Sequence, residues 1–533
     1  SKNKYQSVIM PSLFKKYSKL IYFILVLLCC APSLWGNFLV TMAAILLAAY
    51  WVLDGNYKQS FKTLWSRKAA LCLLIIPVII ILRTLVQLPN PTALMFISKY
   101  LPFLIFVFVI GSKPNFSSGQ FHAIMLVYIF SVVINSLFCT GNYILTYENG
   151  DNFRTISYFI SYIRLTLFVL VAISACAFYL FQKKDEVQKN ERIFLWCSFF
   201  WLSFFIIFLK SFTGYVIFCI SAALTLFYLM HKNKKEWAKF LMIALILVGI
   251  GIVITAVYSE AKHFIYPDVQ PSELEQTTPY GNSYTHIQSY EIENGHYTGL
   301  YICESELAEA WAERTNTSVY HLNEHGYSYY STLVRYMTSK NLRKDKNGFS
   351  ELSDYEIEAV RNGFTNYRFL SNSNPKKRIY EVCWDLYMYS NGASPENHSI
   401  PQRFEFVKCT FQTVERSPFF GFGATVRNEM NQTYQERNNL SSEHWNLPHN
   451  QYLLMMLFCG FIGLFLFIFS ICGTFWFSKL HWNFLTIGWF IIVVISCFSE
   501  DTFNTSAGQA CCCLIGSILL FTQPSKKCNP DEQ

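Results

Sequence analysis

The chain has 533 residues, of which 52% are hydrophobic and only 15% are charged. A soluble domain normally carries about 25% charged residues, so this composition excludes a soluble protein built around one core. The net charge of +8 does not indicate nucleic-acid binding, because the basic residues form short clusters between apolar runs, as topology signals do. The sequence therefore predicts an all-α protein that crosses a membrane many times.

Twelve apolar segments approach or reach the ~20 residues that a helix needs to cross a bilayer. We predict spans at 18–35, 37–53, 69–88, 95–111, 121–145, 158–181, 193–209, 212–230, 239–258, 449–477, 483–499 and 506–522. This divides the chain into three parts, which are spans 1–9 within residues 1–258, a polar domain at 259–446, and spans 10–12 with a short tail at 447–533.

The connections between the predicted spans alternate in basic content. One set carries the clusters at 2–19, 58–68, 183–192 and 232–235, while the short connections of the other set are almost free of Lys and Arg. By the positive-inside rule the basic set is cytoplasmic. We therefore expect both termini in the cytoplasm and the polar domain on the opposite side of the membrane.

The polar domain shows helical apolar spacing rather than low complexity. The spacing, with Ser or Pro start signals, predicts helices at Ser305–Thr315, Ser353–Phe364, Lys376–Tyr389 and Pro401–Glu415. A segment of this length is more often a folded, functional domain than a tether.

Most of the 17 cysteines lie in apolar runs, where a thiol acts as a small apolar group. Three fall in the polar domain, at Cys303, Cys383 and Cys409. Their odd number and the absence of a CxxC spacing argue against a zinc site and leave a single disulfide open.

Several ionisable side chains lie within or at the ends of predicted spans, where a charge costs a few kcal/mol at the bilayer centre. In the predicted topology they share the outer leaflet, and they are Arg83, Lys99, Arg164, Lys210, Glu500 and Asp501. Snorkelling to the surface accounts equally well for Lys99 or Lys210 alone. Four cations at one leaflet suit a polyprenyl diphosphate, since Arg binds phosphate through its planar fork and Lys as a point charge. A transporter would place its charges nearer the midplane, on broken helices.

The most specific motifs lie between Asn397 and Phe465. The chain reads NHSIPQRFEFVKCTFQTVERSPFFGFG and, after a spacer, LPHNQYLLMMLFCGFIGLF. These motifs resemble the O-antigen ligase and polymerase superfamily of Gram-negative inner membranes, which has an external Arg, an SP-x-x-G-x-G turn, and a His-Asn-x-x-L pair before a G-x-x-G stretch. SYIRLTL at 161–167 and SEDTFNTSAG at 499–508 resemble motifs of one ligase subgroup. The likeness covers most of the chain and is weakest across 259–390.

This resemblance implies an inverting glycosyltransferase of the inner membrane that needs no metal and no cofactor. The donor would be a glycan on polyprenyl (undecaprenyl) diphosphate, and the acceptor would be the lipid A–core of lipopolysaccharide, reached from the periplasm. His449 would accept the acceptor proton or orient the hydroxyl, because imidazole titrates near neutral pH. Arg403 would clamp the diphosphate in catalysis, and Arg164 would hold the same group from below.

The remaining candidates have supporting roles in this hypothesis. Arg83, Lys99 and Lys210 would add charge to the donor site, while Asn450, Glu500 and Asp501 would contact the acceptor or support the other residues. The chain departs from the family pattern at Phe212, where an Arg is expected, and Lys210 is the candidate replacement. The glycines at 421, 423, 460 and 463 are expected to serve turns and close helix packing.

Two alternatives within the family share the donor chemistry. A polymerase would use another lipid-linked glycan as its acceptor, and an O-oligosaccharyltransferase would use a protein Ser or Thr. From another class, a lipid or glycan exporter would account for the spans but not for the paired HNQYL and PQRFEF motifs.

Overall fold

The structure is a computed structural model, and it describes residues 12–31, 36–146, 156–209, 211–232, 236–268, 273–287, 291–324, 326–370, 376–478 and 483–524. Lys210 therefore lies outside the described residues. Within them the protein is helical, and the one regular sheet is a hairpin of β1 (Ile292–Glu293) and β2 (His296–Tyr297). This confirms the predicted all-α class.

Helices occupy all twelve positions at which the sequence predicts spans. They are α1 (Ser12–Cys29), α2 (Gly36–Asp54), α4 (Lys68–Leu85), α5 (Pro91–Ser112), α6 (Ser118–Thr146), α7 (Tyr162–Ala177), α8 (Lys189–Phe208), α9 (Phe212–Lys232), α10 (Glu236–Ile265), α18 (Gln451–Phe477), α19 (Phe484–Ser499) and α20 (Ser506–Phe521). Among the described residues, seven helices are long and apolar enough to cross a membrane, and α2 together with α3 (Tyr57–Ser66), bent by 119°, would make eight. The multi-pass fold is confirmed, but the count of twelve is not.

The chain divides into two compact units. The first contains Ser1–Lys239, Phe406–Asn438 and Trp445–Gln533, and the second contains Phe240–Glu405 and Asn439–His444. The boundaries at 259 and 446 stay a prediction.

In the first unit, α7 is the central helix. It packs against α6, α8, α9 and α19, and every one of its residues from Arg164 to Ala177 is buried. Its contact with α19 is close because a Cβ added at Gly488 would lie 2.7 Å from Ser174 Oγ. Small residues at such crossings let helix backbones approach, as is common in membrane proteins.

The second unit has its own hydrophobic core. It contains most of the candidate span α10 and, after it, α11 (Glu304–Thr315), α12 (Tyr329–Ser339), α13 (Lys346–Ser350), α14 (Asp354–Arg361), α15 (Lys377–Ser390) and the start of α16 (Ser399–Glu415). Trp311, Tyr336 and Phe349 are the largest side chains of the core. All four helices predicted for the polar domain are present. In the described part of the chain, Cys303, Cys383 and Cys409 form no disulfide. The last long element before α18 is α17 (Val426–Arg437), in the first unit.

Candidate functional site

Arg164 is buried in the first turn of α7 and contacts the connection that follows α19. Its Nη2 donates to Asp501 Oδ1 at 3.0 Å, and its Nε donates to Thr505 Oγ1 at 3.0 Å. Its Nη1 lies 3.5 Å from Glu500 Oε2, and the side chain is only 7% exposed. An unpaired charge at this depth costs several kcal/mol, so the two carboxylates account for an arginine inside the helix bundle.

The Glu500 carboxylate also faces His449. Its Oε2 lies 4.0 Å from His449 Nδ1, and Glu500 is 9% exposed whereas His449 is 36% exposed. A carboxylate on this side of the ring favours a proton on Nδ1. The other nitrogen, Nε2, is then the one that can accept a proton from a substrate.

Two hydrogen bonds of Asn450 hold the neighbouring His449 in place. Its Oδ1 accepts from the backbone N–H of Leu453 at 3.0 Å and so caps the N-terminus of α18. Its Nδ2 donates to the carbonyl of Phe498 at 2.9 Å, near the end of α19. Asn450 thus ties the start of α18 to the end of α19, which brings His449 next to Glu500.

Lys99 reaches the same cluster through Asn504. Its Nζ donates to Asn504 Oδ1 at 2.6 Å, and Tyr100 Oη donates to the same oxygen at 3.1 Å. Asn504 Nδ2 in turn donates to Asp501 Oδ2 at 2.9 Å. Asp501 therefore contacts Arg164 of α7 directly and is linked through Asn504 to Lys99 of α5.

Arg83 has a different environment from the one the sequence suggests. Its Nε donates to the carbonyl of Phe420 at 2.9 Å, and its Nη2 donates to the carbonyl of Gly421 at 2.8 Å. One turn later, Gln87 donates to the Phe422 carbonyl at 2.6 Å. These contacts hold the SPFFGFG turn against α4. Arg83 therefore has a structural role.

The same turn packs against a break in α18. Gly421 and Gly460 have φ values of +62° and +67°, which only glycine adopts without strain. A Cβ at Gly460 would lie 2.1 Å from the carbonyl carbon of Phe419, and Phe461 N donates to Pro418 O at 2.7 Å across the contact. These glycines serve backbone packing, as predicted.

The other predicted arginine of the site, Arg403, is exposed on α16 in the second unit. Arg427 was not singled out from the sequence. It is exposed in the first turn of α17, directly after the glycine turn, and its charge repels the Lys99 ammonium. Lys99 thus lies between the attracting Asp501 carboxylate, whose effect is larger, and the repelling Arg427 guanidinium.

The comparison with protein families bears on this cluster. The family model described as O-Antigen ligase matches residues 333–468. This match confirms, over those residues, the predicted resemblance to the O-antigen ligase and polymerase superfamily. No curated protein matches the chain.

The region that matches the O-antigen ligase model runs from within α12 into α18. It includes Arg403 in the second unit and, in the first unit, the SPFFGFG turn, Arg427 and His449. Arg83, Lys99, Arg164 and the segment 500–505 lie outside it. Within the first unit, His449 of the matched region therefore lies beside residues of segments well outside that region.

Three of these side chains form a group that a metal ion could bind. One ligand atom each from His449, Glu500 and Asp501 lie within 4.8 Å of one another. However, the Arg164 guanidinium already contacts both carboxylates, at 3.5 and 3.0 Å. A divalent cation would have to displace or repel this buried charge, so the residues fit an arginine-centred ion pair better than a metal site.

Proposed function

We propose that this protein is a glycosyltransferase that moves a glycan from polyprenyl diphosphate to an acceptor hydroxyl, most simply on lipid A–core, at the periplasmic face of the inner membrane. The observation that carries the proposal is the pairing of His449, inside the matched O-antigen ligase region, with the buried Glu500 carboxylate at 4.0 Å. A histidine backed by a carboxylate is an arrangement suited to removing a proton from a hydroxyl.

The reaction begins at the acceptor. Its hydroxyl oxygen attacks the anomeric carbon of the donor sugar from the face opposite the diphosphate, and the bond from that carbon to the phosphate oxygen breaks with inversion. The hydroxyl proton passes to His449 Nε2, and the diphosphate leaves with the electron pair of the broken bond. Glu500 stabilises the imidazolium that forms, because it lies on the Nδ1 side of the ring.

The leaving diphosphate needs positive charge within reach. Lys99 and Arg427 are exposed in the first unit; Arg427 repels Lys99, although Asp501 attracts Lys99 more strongly. A phosphate between the two cations would offset their repulsion. We assign them to the donor phosphates, and we propose the same role for Arg403 because its motif resembles the external Arg motif of the ligases. Lys210 stays a further candidate for the same role.

Arg164 acts as a positioning residue in this proposal. Its guanidinium is buried and already neutralised by Glu500 and Asp501, so a second anion would gain less from it than from an exposed cation. Its effect is to hold Glu500 where it faces His449. Arg83 has a similar indirect task, because it orders the turn that leads into Arg427.

Reconstitution in proteoliposomes tests the function. The purified protein would be incubated with a lipid-diphosphate glycan and, separately, with lipid A–core, an acceptor peptide, or a second lipid-linked glycan, each with EDTA present. Glycosylated lipid A–core supports the proposal, whereas glycosylated peptide or a lengthened lipid-linked glycan identifies the protein transferase or the polymerase. No transfer to any acceptor, or transfer that EDTA abolishes, would overturn it.

A further inference from the structure

A polar cavity lies within the second unit, and its lining is remote in sequence from His449 and Glu500. It has a volume of about 230 Å³, and its lining includes Asp268, His296, Tyr301, Asn341, Arg343 and Lys344. Ligand pockets for drug-sized molecules are typically about 300–1,000 Å³. This cavity is therefore suited to a group no larger than a single sugar ring.

The notable side chain in the cavity is Lys344. The residue is only 3% exposed, and among the residues that the structure describes its ammonium has no hydrogen-bond or salt-bridge partner. Burial, with a smaller contribution from Arg343, lowers the pKa of Lys344 to about 7. An isolated buried ammonium is costly, as is expected where an anion from a ligand completes the site.

The backbone holds Lys344 firmly in this position. Its N–H donates to the carbonyl of Tyr301 at 2.9 Å, and its carbonyl accepts from Cys303 at 2.8 Å. Tyr301 and Asn341, which also line the cavity, have φ values of +55° and +56°. Such left-handed conformations are rare for an aromatic residue and cluster at ligand sites.

The other charges around the cavity are already paired. His296 Nδ1 lies 2.5 Å from Asp268 Oδ2, and Arg343 Nε donates to Glu275 at 3.0 Å while its guanidinium lies over the Tyr301 ring. Within the described lining, Lys344 thus supplies a single uncompensated positive charge. A carboxylate matches that charge, whereas a phosphate dianion would leave buried negative charge near Asp268.

We propose that this cavity binds a carboxylate-bearing sugar residue, with its carboxylate on Lys344 and its hydroxyls toward polar groups such as Asn341 and Tyr297. The binding site stands on the cavity alone. That the acidic sugar belongs to a glycan handled in transfer rests on the function proposed above.

The test is direct binding to the full-length protein in detergent, measured by saturation-transfer NMR with D-glucuronate. The reference ligands are glucose, which lacks the charge, and inorganic phosphate as a competitor. Since no transfer is involved, failure of the proposed function leaves this measurement unaffected. We expect glucuronate to bind at least about tenfold more tightly than glucose, which corresponds to about 1.4 kcal/mol, and phosphate to compete poorly.

The matched variants are Lys344→Met and Lys346→Met, because Lys346 is partly exposed and already paired with Glu313 at 3.0 Å. The first should lose glucuronate binding, and the second should keep it. Equal binding of glucose and glucuronate, displacement by phosphate at lower concentration than by glucuronate, or unchanged binding in Lys344→Met would overturn the proposal. If Lys344→Met does not fold, the relative binding of glucuronate, glucose and phosphate to the wild-type protein tests the proposal.

Discussion

Glu500 Oε2 lies 4.0 Å from His449 Nδ1, and this carboxylate is nearly buried while the imidazole is partly exposed. The carboxylate also contacts Arg164 at 3.5 Å, so one oxygen links the buried arginine of α7 to the exposed histidine before α18. Arg164 therefore holds Glu500 beside the proposed base, His449, and Arg164 itself need not contact the substrate.

Glu500→Gln should lower the turnover number about 10²-fold, the lower end of what a positioned general base contributes. The amide keeps the shape of the side chain but does not stabilise a charged His449. The KM for the lipid-linked donor should change little, because Glu500 does not contact it in our proposal. The control is Glu415→Gln, an exposed glutamate of the same unit. A loss confined to KM would argue that Glu500 binds substrate instead.

Arg164→Met should destabilise the protein, since it removes the guanidinium from the buried Glu500 carboxylate and the partly buried Asp501 carboxylate. Removing one partner of a buried ion pair typically costs about 3–5 kcal/mol. Adding Asp501→Asn should restore part of the thermal unfolding temperature in detergent, because the uncompensated charge is then reduced. If the changes in unfolding temperature from Arg164→Met and Asp501→Asn simply add, the 3.0 Å contact between Arg164 and Asp501 does not contribute to stability.

Gly460→Ala should disrupt the contact between α18 and the SPFFGFG turn. The added Cβ would lie 2.1 Å from Phe419 at a backbone with φ of +67°, so the chain must move. We expect a fall of several degrees in the unfolding temperature, together with loss of transfer. Gly141→Ala is the matched control, because a Cβ there meets nothing within 4 Å and alanine favours the helix by about 1 kcal/mol.

Lys344→Met should raise thermal stability, and more so at low pH. The pKa of Lys344 is about 7 in the folded protein against 10.5 ordinarily, so the folded state releases its proton first as the pH rises. Below pH 7 the lysine is charged in both states and the penalty for burying it is complete. Between pH 7 and 10.5 the unfolded state binds more protons, so wild-type stability rises with pH. The extra stability of Lys344→Met over the wild type should therefore decrease between pH 7 and 10.5. A stability difference that does not change with pH would contradict the lowered pKa of Lys344.

The sequence predicts the helices well because their signals are local. The apolar runs and the Ser and Pro start signals of the polar domain place helices that the structure contains. The sequence also singles out Arg164, Glu500 and Asp501, but Arg164 and Asp501 are 337 positions apart, and no local pattern shows that they form an ion pair.

Other parts of the site have no local signal. The Arg83 guanidinium bonds to backbone carbonyls of a turn, and every residue offers such a carbonyl. Arg427 looks like any exposed arginine on a polar helix until Lys99 is found near it. Asn504 and Thr505 lie in a motif that was noted, but only their contacts with Lys99 and Arg164 give them a task.

The most direct test is the rate of glycan transfer by His449→Ala, measured with the lipid-diphosphate donor and the best acceptor found in reconstitution. His444→Ala is the matched control, since this histidine hydrogen bonds to Asn397 and Ser441 and has no role in our account. We predict a fall of at least about 10²-fold for His449→Ala and a normal rate for His444→Ala. A correctly folded His449→Ala protein that transfers glycan at the wild-type rate would contradict the account.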